Sequence, residues 1–386
     1  MLFYSLLIAS LIGLSVVEYI GTEKKFNKVL LISIKILPFV ILYFLNTFKA
    51  ITVGYDAVAY YDWYNQLLNG LKPTGSYPSV EIGFKVFIEL FAKTKAPYLV
   101  FYALSNAIVY GTTGFAIIKL SRNSSFSALI YCCLSVMVLN FSALRQSIAL
   151  GMAFLSLIFL IKKKWWSYLL FAALVILGGL FHRSAYAFLI CLPLSFIKIK
   201  PSYLFYITPF IVMFFIVTPS LFQSIYYLTG STMYMPTYRD GVGEYYFIFF
   251  LLFFVFVLLS TKNKITTWIF TGIEFLKVRC FKKSHQLDVD VYQPEVDLDT
   301  KKYLVLFLAG VLFQATSRVN YAAPRLATQF LMLCSLFVPN TLIQIKNLKF
   351  KIFMFTITCL AFYAFFVYDS ILPNYLGIVP YDFIWN

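Results

Sequence analysis

This sequence predicts an all-α membrane protein, a bundle of about twelve transmembrane helices. Three observations predict it. First, 61% of the 386 residues are hydrophobic and only 12% are charged, where a soluble chain carries about 25% charged residues. Second, the mean hydropathy is +0.81, and apolar runs long enough to cross a bilayer recur from end to end. Third, those runs are unbroken and do not alternate polar with apolar, which excludes a transmembrane β-barrel.

Taken in order, the predicted helices are residues 2–20, 29–48, 97–120, 126–144, 146–161, 166–181, 184–197, 203–224, 244–260, 303–317, 326–343 and 352–369. The first, in "MLFYSLLIASLIGLSVVEYI", has no basic leader and no small-residue cleavage site, so it reads as a span and not as a removed signal peptide. The connectors "GTEKKFNK", "IKKKWW", "IKIKPS", the segment 261–302 and "IKNLKFK" are rich in lysine. The positive-inside rule places them in the cytoplasm and both termini outside. The whole chain, 1–386, reads as a single transmembrane domain with two long connectors, 49–95 outside and 261–302 inside. The net charge of +16 then belongs to loops facing anionic lipid, and no nucleic-acid partner is expected.

On this topology the cations sort by type. Lysine marks the cytoplasmic side, while Arg145, Arg183, Arg239, Arg318 and Arg325 gather on the outer one. Arginine presents a planar fork suited to phosphate or carboxylate. Charges at membrane depth are costly and line cavities more often than lipid. An arginine cluster beneath one face therefore points to a polyanionic headgroup, against the plainer reading of separate helix-end anchors.

The outer connector opens "FKAITVGYDAVAYYDWYNQLLNGL". Asp56, Tyr60 and Tyr64 recur every four residues and share one face of an amphipathic helix. Glu81 follows in "YPSVEIGFKVFIEL", a second, partly embedded helix. Carboxylates beside aromatic rings suit sugars, although an interfacial Tyr/Trp belt accounts for such rings without a ligand. His182, in "GGLFHRSAYAFL", lies at an outer helix junction beside Arg183 and Ser184, as a proton acceptor, a phosphate donor or a satisfied interfacial side chain. His285 lies in the charged inner connector. Asp288 and Asp290 form a D-x-D there, without the Rossmann-like strand that would give that motif meaning. The six cysteines form no CxxC pair, so no disulfide framework or metal site is expected, and no cofactor.

Taken together, "GYDAVAYYDWY", "EIGFKVF", "LRQSIALGMAFLSL", "FHRSAYAFL", "PRLATQFLMLCSLFVP" and "IVPYDF" resemble, in order and spacing, the EpsG family of Wzy-type polysaccharide polymerases. The chain departs from that pattern at Lys49, where the family usually has arginine. It departs again at Gly54-Tyr55-Asp56, for Gly-Thr-Asp, and at Glu81-Ile82-Gly83, for Glu-Pro-Gly. The resemblance implies a helical fold of the lipid-sugar-dependent GT-C type in the bacterial cytoplasmic membrane. It implies that repeat units on polyprenyl (undecaprenyl) diphosphate are joined on the outer face into O-antigen, capsule or exopolysaccharide, with a chain-length regulator as a possible partner. Arg145, Arg183, Arg318 and Arg325 are then expected to bind the diphosphate, and His182, Asp56 and Glu81 to do proton chemistry, with Tyr60 and Tyr64 against the sugar. A ligase transferring glycan to another acceptor would use the same groups. A flippase or transporter of lipid-linked sugar would line a central cavity and repeat internally, and no internal repeat is seen.

Overall fold

The computed structural model describes residues 1–196 except 135 and 163, isolated positions between 213 and 310, and 323–385 except 346. The predicted helices 203–224, 244–260 and 303–317, the connector 261–302 and Arg318 lie outside the described residues, apart from those isolated positions. Among the described residues the chain is helical, with one isolated β-bridge, Lys49 to Phe383. It divides into two compact units: Met1–Pro193 with Cys334–Ile343 and Phe355–Asn386, and Leu194–Leu333 with Gln344–Met354.

The first unit holds α1 (Leu2–Glu23), α2 (Lys28–Thr47), α3 (Tyr55–Leu68), α4 (Ile82–Lys93), α5 (Tyr98–Leu120), α6 (Ser124–Cys133), α7 (Val136–Ser142), α8 (Leu144–Ile161) and α9 (Trp165–Phe181). A 3-10 segment, Arg183–Ile190, leads into α10 (Cys191–Phe196). Further along are α11 (Ala323–Leu331), α12 (Cys334–Leu342) and α13 (Leu348–Phe366), the last extended by a π-turn, Val367–Ile371. In the second unit, Gly310 lets the chain approach α11 closely, because a Cβ there would lie 2.8 Å from the Phe330 Cβ.

Among the described residues, α1, α2, α5, α8 and the run Leu348–Ile371 are long and apolar enough to cross a membrane. The chain is accordingly a multi-pass membrane protein. The span expected at 126–144 is broken: α6 and α7 meet at 63°. A break at membrane depth is tolerated where it is buried in protein, and here Leu134 and Val136 beside it are buried, with a polar cluster towards the end of α7. Asn46 Nδ2 donates to the Asn140 carbonyl (3.2 Å) and to Asn106 Oδ1 (2.9 Å), while Asn140 Nδ2 donates to the Tyr131 hydroxyl (2.7 Å). Every residue of α6 is buried, which is why its composition reads as a lipid-facing span. The helix expected at 184–197 begins as the 3-10 segment, and that expected at 326–343 is divided between α11 and α12.

At the lysine-bearing end, α1 anchors α6. The fully buried Glu18 carboxylate accepts from the Ser124 N–H (2.9 Å), the Ser125 N–H (2.8 Å) and Ser125 Oγ (2.8 Å). Asn123 caps the same helix through the Phe126 N–H (2.8 Å). An anion at a helix N-terminus complements both the unpaired N–H groups and the macrodipole.

Candidate active site

At the opposite end of this unit, four chain segments bring the expected residues together. Arg145 opens α8 and Lys162 caps its far end, about 25 Å away at 1.5 Å per residue. α9 returns, so its C-terminal residue Phe181 delivers His182 beside the start of α8. α3 and α4 lie over this end and supply Asp56, Tyr60 and Glu81.

Glu81 and Arg145 form the centre. Arg145 Nη1 donates to Glu81 Oε2 at 2.5 Å, with the side chains 23% and 12% exposed respectively. Glu81 Oε1 accepts from the Arg183 backbone N–H at 3.3 Å. Glu81 is the N-cap of α4, and close approach explains the glycine two residues later: a Cβ on Gly83 would sit 2.7 Å from the Leu180 carbonyl oxygen. The guanidinium also bonds the Tyr60 hydroxyl, while the buried Arg145 Nε has no hydrogen-bond partner among the described residues. The pair is therefore partly desolvated, where a charge-assisted bond is strong and an exchange of partners is possible.

Asp56 stands exposed in the first turn of α3, within electrostatic reach of the Tyr60 hydroxyl. Its N–H donates to Ser142 Oγ at 3.1 Å, which ties α3 to the end of α7. Gly54 makes the turn possible. Its φ is +95°, and a Cβ would lie 2.3 Å from the Phe141 carbonyl oxygen.

The two tyrosines differ in role. Tyr60 is buried against Trp63 and Phe84, and burial raises its phenol above the ordinary value, opposed by Arg145. Tyr64 is fully buried, stacked on Phe101 and donating to the Ala96 carbonyl at 2.7 Å. Its ring belongs to the packing beneath the site and presents no face to a sugar, because it lies against α4 and α5.

His182 caps the 3-10 segment: the Ser184 N–H donates to Nδ1 at 3.3 Å, and Ser184 Oγ lies 2.7 Å from the same nitrogen. A backbone amide can only donate, so Nδ1 is an acceptor and the neutral ring carries its proton on Nε2. Arg183 is exposed and contributes its backbone to Glu81. Arg325 lies in α11, in the second unit, and its side chain is outside the described residues.

Lys49 occupies an unexpected position. It is 3% exposed, donates from Nζ to the Val53 carbonyl at 2.5 Å, and lies over the Tyr102 ring. Burial lowers its ammonium to about 7. Lys49 was singled out in the sequence only as a departure from the family pattern, and Ser142 and Glu18 were passed over. A lone carboxylate near the end of an apolar span was the available signal for Glu18. Nothing marked Ser142.

No group of three or more His, Cys, Asp or Glu side chains able to hold a metal occurs among the described residues. The arrangement is a half-buried guanidinium paired with a carboxylate. Around it are an exposed carboxylate, a histidine donor and the N-terminal ends of α4, α8 and the 3-10 segment; the donor and the helix ends favour anions. Searches of curated proteins and of solved structures return no match. A family model described as the EpsG family matches residues 32–383. With that match covering most of its length, the chain belongs to the EpsG family, whose members are glycosyltransferases of the polysaccharide-polymerase type.

Proposed function

We propose that this end of the bundle joins oligosaccharide repeat units carried on polyprenyl diphosphate, on the outer face of the cytoplasmic membrane. The observation that carries the reading is the Glu81–Arg145 pair at the start of α8, in a chain of this family. Within the first unit, Lys24, Lys25, Lys162 and Lys164 lie at the other end, which fits an outward-facing site.

The donor diphosphate takes the guanidinium over from Glu81, since phosphate oxygens match the fork that the carboxylate now occupies. The acceptor hydroxyl oxygen bonds to the anomeric carbon as the bond from that carbon to the diphosphate oxygen breaks. The electron pair leaves with the diphosphate. Arg145, steered by the Tyr60 hydroxyl, stabilises the charge developing there without reorganisation. The His182 Nε2–H is a second donor to the same charge. The proton of the acceptor hydroxyl passes to a carboxylate, Asp56 or the Glu81 that the diphosphate has displaced.

The test is direct. Purified protein in proteoliposomes, given defined lipid-linked repeats, is expected to produce a ladder of glycan lengths. Transfer of a single unit to a non-identical acceptor favours a ligase. Movement of the lipid-linked unit across the bilayer with no new glycosidic bond favours a flippase.

A further inference from the structure

We infer that the C-terminal segment, residues 374–384, is a positioning element for Asp56. This rests on the role proposed for Asp56 above. The segment follows the π-turn after α13 and folds back onto the turn between α2 and α3. The Ala50 N–H donates to the Asp382 carbonyl (2.8 Å), and the Ile384 N–H to the Phe48 carbonyl (2.9 Å). That pattern makes Lys49 and Phe383 a non-hydrogen-bonded antiparallel pair, the closer of the two cross-strand spacings. Further along the turn, the Gly54 N–H donates to the Gly377 carbonyl (2.9 Å) and the Tyr55 N–H to the Leu376 carbonyl (3.2 Å).

These last two bonds matter because of where α3 begins. The first N–H groups of a helix have no partner within it. In α3, Gly54 has no side chain with which to cap it. The C-terminal segment takes the N–H groups of Gly54 and Tyr55, and Ser142 takes that of Asp56. The start of α3 is thus held by protein on three successive residues and is not open to an anion. The direction of α3, and hence of Asp56 and Tyr60, is set by a segment more than 300 residues away in sequence.

The hook is itself braced. Asn374 Oδ1 accepts from the Ile378 and Val379 N–H groups (2.8 and 3.0 Å), and its Nδ2 donates to the Val379 carbonyl (2.7 Å). Tyr381 donates to the Leu45 carbonyl at 2.6 Å and stacks on Phe3 at 4.0 Å. Tyr4 donates to the Ile378 carbonyl at 2.8 Å. Asn374 and Tyr381 are the two positioning residues, and neither belongs to the proposed binding or proton-transfer groups.

The experiment uses full-length protein carrying Asn374→Ala, with Tyr381→Phe as a milder second variant should the first fail to fold. Backbone hydrogen exchange in the peptide covering residues 48–57 is measured beside kcat and KM on lipid-linked repeats. We expect faster exchange confined to 48–57, kcat reduced about tenfold for Asn374→Ala, and KM unchanged. Unchanged exchange at 48–57 overturns the proposal whatever the activity. Faster exchange with normal kcat also overturns it, provided that Asp56→Asn is inactive. If Asp56→Asn is itself fully active, the role proposed for Asp56 has failed instead, and the hook positions nothing catalytic.

Discussion

Two carboxylates, one at each end of the first unit, are held in opposite ways. Glu18 is fully buried and meets two backbone amides and a hydroxyl, donors fixed in place by the helix they cap. Glu81 keeps some exposure and meets a guanidinium on a flexible stem, with one longer bond to a backbone amide. A buried carboxylate satisfied by rigid neutral donors cannot be exchanged without unfolding the helix terminus. A carboxylate that keeps some exposure and is paired with arginine is already the kind of contact that another anion can replace. The difference separates a structural acid from one at a binding site more sharply than burial alone.

The comparison can be broken at either end. The largest expected effect is on activity. Arg145→Lys keeps the charge and loses the fork, so polymerisation is expected to fall about a hundredfold or more, roughly 2.7–4 kcal/mol in barrier. Normal levels of folded, membrane-inserted protein should accompany that loss. At the other end, Glu18→Ala leaves three buried donors unpaired, at about 1–3 kcal/mol each. Its expected outcome is loss of folded protein in a size-exclusion profile. If Glu18→Ala protein folds normally and Arg145→Lys protein does not, the two assignments are reversed.

A smaller effect concerns Lys49, a buried cation at the site end with its ammonium lowered to about 7. The unfolded chain, with an ordinary lysine near 10.4, holds the proton more tightly than the folded one between those values. Stability from Lys49 therefore rises with pH from about 7 to about 10 and is level below that window. Melting curves across this range should show the rise in the native chain and lose part of it in Lys49→Met. The smallest effect is expected from Tyr60→Phe, which removes one neutral acceptor from Arg145. About 1 kcal/mol, or a several-fold drop in kcat/KM, is the predicted loss.

Much of this was legible in the sequence, for a physical reason. Apolar run length reports bilayer crossing directly, so α1, α2, α5 and α8 fall where the runs predict them. Arg145 and His182 stood out because polar groups at the edge of an apolar run are costly, and Glu81 as a carboxylate among aromatics; the structure brings all three to one end. The break between α6 and α7 was illegible because its residues are as apolar as a lipid-facing span; burial of the residues beside it permits it. Tyr64 shows the limit of periodicity, which finds a helix face but not what covers it. The hook was invisible as structure, because backbone pairing between residues 48–55 and 376–384 leaves no pattern in side-chain type.

The central claim is that lipid diphosphate replaces Glu81 on Arg145, and its most direct measurement is binding without turnover. Undecaprenyl diphosphate, titrated onto the native chain, Arg145→Lys and Glu81→Gln in nanodiscs, gives three affinities. We predict binding at least tenfold weaker for Arg145→Lys, and equal or tighter binding for Glu81→Gln, because a competing carboxylate has been removed. Equal affinity in Arg145→Lys, or a loss in Glu81→Gln as large as that in Arg145→Lys, would contradict the exchange and return the pair to a structural role.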